Sequence, residues 1–160
     1  MPEYKELTKQ ENMICERWLL YKPDKEKAYQ QAREQVLESS PSTSMVDISA
    51  IVPGEISDST GNRGAKLASL QAVEDWLDLI NDFESSLPRE RQIYLRLRRE
   101  YRDCRGRKGW TSAVQYRFDN EIRRQIGPHH DGLITRRTMT NWWAEMVLEL
   151  AREALRRGLL

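Results

Sequence analysis

The stretch Thr111–Arg157, TSAVQYRFDNEIRRQIGPHHDGLITRRTMTNWWAEMVLELAREALRR, decides how the rest of the chain is read. Its apolar residues recur at helical rather than strand spacing. Val114, Phe118, Ile122 and Ile126 stand four residues apart, and Thr111 or Ser112 is placed to cap their helix. Gly127 followed by Pro128 stops it. After the loop Pro128–Ile134, Thr135 can cap a last helix that runs to about Arg157, with Gly158 just past its end. At 100° per residue, Met139, Trp143, Met146, Val147, Leu150 and Ala154 fall on one stripe, which predicts a buried face.

Upstream the same period continues. Residues 88–103 read as a helix with Ile93, Tyr94, Leu97 and Tyr101 inward, opened by Ser86 and Pro88. Leu67, Leu70, Val73, Trp76, Leu77, Ile80 and Phe83 predict a central core helix, capped by Ser57 or Asp58 and weakened in its first turns by Gly61 and Gly64. Its other face carries Glu74, Asp75, Asp78 and Asp82, read as solvated carboxylates. Residues 39–57 concentrate Ser, Pro and Gly and read as a linker. Before it, residues 3–21 and the segment to Ser39 predict two helices broken at Lys22-Pro23-Asp24. The expected fold is all-α: a helical bundle with an N-terminal helical hairpin (1–38), a linker (39–57) and a helical core (58–160).

Bulk properties narrow the function. No apolar run approaches the length that crosses a bilayer, and the N-terminus has no apolar signal region, so a cytoplasmic, non-membrane protein is expected. Cys15 and Cys104 are isolated, and no zinc-ligand spacing occurs. His129-His130-Asp131 is poor ligand spacing, so neither a metal nor another cofactor is expected. No phosphate-binding loop or nucleophile motif marks an enzyme. The net charge of +1 hides an asymmetry: residues 1–88 carry 9 Lys/Arg against 16 Asp/Glu, and residues 89–160 carry 17 against 9. Between Arg89 and Arg137, 14 basic residues face 6 acidic ones, which predicts a polyanion-binding half.

The last two helices give that half a chemistry. Arg136, Arg137, Thr138, Thr140 and Asn141 project from the start of the final helix, away from its buried stripe or on its flanks. Arg bonds guanine O6 and N7 bidentately, Asn does the same at adenine N6 and N7, and a Thr methyl meets thymine. Arg105, Arg107, Lys108, Arg117, Arg123 and Arg124, with Thr135 at the helix start, suit phosphate contacts, which fix register without reading sequence. Glu145, one turn further on, would repel phosphate or accept from a cytosine amino group, and it limits how far DNA can lie along the helix. Leu148, Leu155 and Leu159 lie off the buried stripe and predict an interface, either with the N-terminal hairpin or with a second subunit in a homodimer or higher oligomer.

At this point the chain resembles phage late-gene transcriptional activators of the RinA/ArpU type, whose helix-turn-helix is similar to region 4 of sigma factors. The resemblance rests on Leu87-Pro88-Arg89-Glu90-Arg91 opening a helix and Trp110 leading into the next. It continues with Gly127 ending that helix and Ile134-Thr135-Arg136-Arg137-Thr138 opening a recognition helix that reaches Leu150-Ala151. Ile56-Ser57-Asp58-Ser59-Thr60 is similar to the family's entry into its core helix. The resemblance implies a C-terminal helix-turn-helix at about residues 88–157 that binds double-stranded DNA and activates a viral or prophage promoter with RNA polymerase. The turn Pro128–Ile134 is longer than such a motif usually has. Two alternatives stand beside this reading. One is a small terminase-like DNA-packaging protein; the other is a polymerase- or sigma-binding protein that uses its acidic half and binds no DNA.

Overall fold

The first helical stretch is broken by a kink just before Pro23. In the computed structural model, which describes residues 7–38, 59–104, 106–127 and 134–160, helix α1 runs Lys9–Glu38 with non-helical backbone at Tyr21 (φ −104°, ψ 16°). The two helices expected on either side of Lys22-Pro23-Asp24 are thus the two segments of α1, which meet at a kink at Tyr21 rather than in an open turn. Proline lacks an N–H, so the carbonyl four residues earlier, that of Leu19, loses its helical partner. Arg99 replaces it, donating from Nε to Leu19 O at 2.7 Å. Arg99 is in turn paired with Glu84, which also meets Lys22 Nζ at 3.4 Å. The start of α1 is a reciprocal box, with Thr8 N–H donating to Glu11 and Glu11 N–H to Thr8 Oγ1.

The antiparallel pairing near the N-terminus is made between α1 and α2, Ser59–Ser86. Lys22 meets Glu84, and Tyr29, seven residues on, donates its hydroxyl to Glu74, so the two helices run in opposite directions. Burial, and then that bond, hold the Tyr29 phenol above its usual range. Trp18 stacks on Trp76 with centroids 5.1 Å apart and planes within 7°, and Lys25 covers the Trp18 ring. Only the second half of α2 is core: Trp76, Leu77, Leu79, Ile80 and Phe83 are buried, whereas Leu67 is 48% exposed. The expected linker, 39–57, and the Ser57 or Asp58 cap lie outside the described residues.

Helices α3 (Arg89–Glu100), α4 (Trp110–Ile126) and α5 (Arg136–Arg156) follow. α5 holds the centre: Met139, Trp143, Met146, Val147, Leu150, Ala151 and Ala154 are buried, which includes the whole predicted stripe. Thr135 caps it, accepting from Thr138 N–H at 3.1 Å. At its other end Gly158 takes φ +70°, Leu159 N–H reaches Ala154 O and Gly158 N–H reaches Leu155 O, the paired bonds of a Schellman stop. α4 ends at Ile126 before Gly127, as expected, but starts earlier than its expected caps. It starts at Trp110 with left-handed Gly109 (φ 87°) before it and no side-chain cap, so Thr111 and Ser112 lie inside it. Trp110 is drawn inward because the buried Arg98 guanidinium lies 4.4 Å from its ring centroid and 4.9 Å from that of Trp143. Ile126, the last helical residue, is half exposed where a core position was expected.

Candidate nucleic-acid interface

Three helices meet around one ring. Trp142 of α5 stands edge-on to Tyr94 of α3 and Phe118 of α4, with centroids 5.9 and 5.8 Å away. Gln115 Nε2 donates to Ile134 O at 2.9 Å, which fixes where α5 begins. That contact lies in the first third of α4, about 16 Å back from its end at 1.5 Å per residue. α4 ends at Ile126 and α5 starts at Arg136, so residues 127–135 join them. α5 thus starts beside α4 and not at its tip, unlike a tight helix-turn-helix. His129-His130-Asp131 lie in the part of this connection outside the described residues.

The first turns of α5 face solvent. Arg136, Arg137, Thr140 and Asn141 are exposed, and Thr138 is half-buried. Thr138 differs from the other four because its hydroxyl is 2.8 Å from that of Thr135, so each is engaged by the other within the cap. Thr140 donates its hydroxyl proton to Arg136 O at 3.0 Å, which leaves its lone pairs and methyl outward. Arg137, Asn141 and Glu145 follow at four-residue steps on the exposed side. Glu145, the carboxylate expected to repel phosphate, is ion-paired with Arg91, which also lies over Trp142.

The basic residues divide into two classes. Arg96, Arg99, Arg102 and Arg117 are paired with Glu121 (3.0 Å), Glu84, Asp24 (2.9 Å) and Glu100 respectively. Tyr101 and then Glu100 accept from Arg117 and hold it charged beyond its ordinary range, so this residue, expected at a phosphate, is engaged within the fold. Arg107, Lys108, Arg123, Arg124, Arg136 and Arg137 are exposed and make no ion pair or side-chain hydrogen bond among the described residues. Arg124 does lie close enough to Glu121 to help depress its carboxyl, after the larger effects of Gln125 and Arg96. Arg105 falls outside the described residues.

These six cations form two ends joined by α4. From Trp110 to Arg123 and Arg124 the helix rises about 20 Å, which separates these two from Arg107 and Lys108 just ahead of it. The contact at Gln115 puts the start of α5 nearer the Arg107 end. One further residue belongs to this surface and was not picked out in the sequence: Tyr116, 70% exposed on α4. Its signal was present, since position 116 points about 200° away from Val114 and lies with Ser112 and Arg123 on the outward side. Among the described residues no group of His, Cys, Asp and Glu could hold a metal, and no helix is long and apolar enough to cross a membrane. Comparison with family models, with curated proteins and with solved structures finds no significant match to this chain.

Proposed function

We propose that the chain binds double-stranded DNA and regulates transcription, with the first turns of α5 reading base edges and α4 contributing phosphate contacts. The observation that carries this reading is the division of the cations. The fold's own carboxylates are spent on Arg96, Arg99, Arg102 and Arg117, while six exposed cations flank and include a helix start bearing Thr140 and Asn141. Unpaired cations around a polar helix end attract phosphate and leave the groove to be read by Arg and Asn. Base readout falls to Arg136, Arg137, Thr140 and Asn141; Thr138 contributes through the cap. The resemblance to phage late-gene activators extends the proposal to activation together with RNA polymerase.

The same pairing weakens the reading in which an acidic half seeks a basic partner. Asp24, Asp82 and Glu84 already pair with Arg102, Arg157 and Arg99 of the chain itself. The test compares two kinds of variant on the DNA flanking the gene and on random duplex. Arg137→Ala and Asn141→Ala are expected to weaken binding to the preferred sequence by about 1–3 kcal/mol and to leave random DNA nearly unaffected. Lys108→Ala weakens both alike. Equal losses on both DNAs for all three variants would refute base readout by α5.

A further inference from the structure

Away from the surface described above, α5 turns another side toward the first turns of α1, and among the described residues the two helices leave an open groove of about 1360 Å³ between them. Its floor is apolar: Leu7 and Met13 from α1's side, and Ala144, Val147, Leu148 and Leu155 from α5. Met13 is 44% exposed and Leu148 38%, so α1 covers only part of the apolar patch that the sequence predicted. From Thr140 to Arg156 the α5 wall is about 24 Å long at 1.5 Å per residue, the length of a four- to five-turn helix. The charged rim has one dominant sign. Lys9, Arg152 and Arg156 line it, and Arg156, still largely exposed, also meets Glu153 at 2.9 Å. The carboxylate in the groove, Glu16, is turned to the Trp143 indole, accepting from Nε1 at 3.0 Å.

We propose that this groove docks an amphipathic helix of another protein, with apolar residues at i, i+3/i+4 and i+7 and carboxylates along its flanks. An apolar floor of helix length selects a helical stripe. A basic rim selects the acidic flank and disfavours a basic one. A second copy of this chain fits less well, because a symmetric pairing would set the same basic-rimmed patch on both sides of the interface. The inference does not rest on DNA binding.

The probe is a fluorescein-labelled helical peptide of about 18 residues with Leu on one face and Glu on both flanks, titrated onto the full chain. A matched peptide carries Lys at the flank positions. The Glu peptide is expected to bind about tenfold or more tighter than the Lys peptide. Ala144→Arg, at an exposed position on the floor, is expected to abolish binding with the helical content unchanged. The double variant Lys9→Glu/Arg156→Glu is expected to reverse the preference between the peptides, which misfolding could not do. No binding of either peptide, or equal binding of both, overturns the proposal. So does a dimer in sedimentation that Leu148→Glu dissociates, which would make a second copy the occupant.

Discussion

Arg99 stands in for the N–H that Pro23 lacks, and this substitution of a side chain for a backbone donor has a measurable signature. Arg99→Met keeps most of the side chain's apolar stem but removes the donor 2.7 Å from Leu19 O. Leu19 is fully buried, so water does not readily replace the lost donor. A hydrogen bond from a charged donor contributes about 1.5–3 kcal/mol. Glu84, about a quarter exposed, keeps Lys22 as a partner, so its share is small, about 0.5 kcal/mol. The expected loss is about 2–3 kcal/mol in urea unfolding followed by circular dichroism, within the ordinary range of a lost buried bond. Pro23→Ala supplies a backbone N–H that reaches the same carbonyl if the helix straightens through Tyr21. In the Arg99→Met background it is expected to recover about 1–2 kcal/mol, while alone it changes little because Arg99 already occupies Leu19 O. Additivity of the two substitutions, within about 0.5 kcal/mol, would refute the claim that they serve one carbonyl.

Three other outcomes follow from single residues. Thr135→Ala removes the cap of α5 and the hydroxyl that engages Thr138, so it is expected to cost about 1 kcal/mol of stability and to loosen the start of α5. Amide exchange at residues 136–138 should rise, and protection as high as in the parent chain would count against the cap. Burial, with Glu11 as the second cause, pushes the Cys15 thiol up to about 11. At pH 8 a thiol reagent should therefore modify the half-buried Cys104 long before Cys15, and Cys15 only as fast as the chain unfolds. Because the folded state favours the protonated thiol, its contribution is fully present below the unfolded value and is lost as pH rises toward 11. Glu145→Ala frees Arg91 and removes a carboxylate from the exposed side of α5, so non-specific DNA affinity should rise with the salt slope steepened by about 1. An unchanged slope would place Glu145 and Arg91 away from the duplex.

What the sequence makes legible here is periodicity, and what it hides is contact across the chain. The buried stripe of α5, its cap at Thr135 and its stop at Gly158 follow from residues near one another in sequence, and all three are realised. Pro23 reads as a break because its local effect is visible, whereas the donor that offsets it lies 80 residues from Leu19. The start of α4 escapes the capping rules for the same reason: Trp110 is held by Arg98 and not by its own neighbours. Glu145 looks like a barrier to phosphate until Arg91, 54 residues away, neutralises it. Of the predicted contact residues, those without an internal role stayed free at the surface, and Arg117 and Thr138 were taken by partners no composition count reveals. The outward place of Tyr116 is legible in the sequence, since it stands opposite Val114 on the helix.

The central claim is that the unpaired cations meet a polyanion and that α5 reads its bases. It is tested most directly by fluorescence anisotropy on random duplex and on the DNA flanking the gene, from about 50 to about 300 mM salt. If the four exposed cations left for phosphate, Arg107, Lys108, Arg123 and Arg124, each displace a counterion, log K should fall with log salt at a slope of about −4, and the flanking DNA should bind at least about a thousandfold tighter than random duplex. Absence of binding at the lowest salt, or a slope near zero, would contradict the account and turn the basic half into a surface for protein.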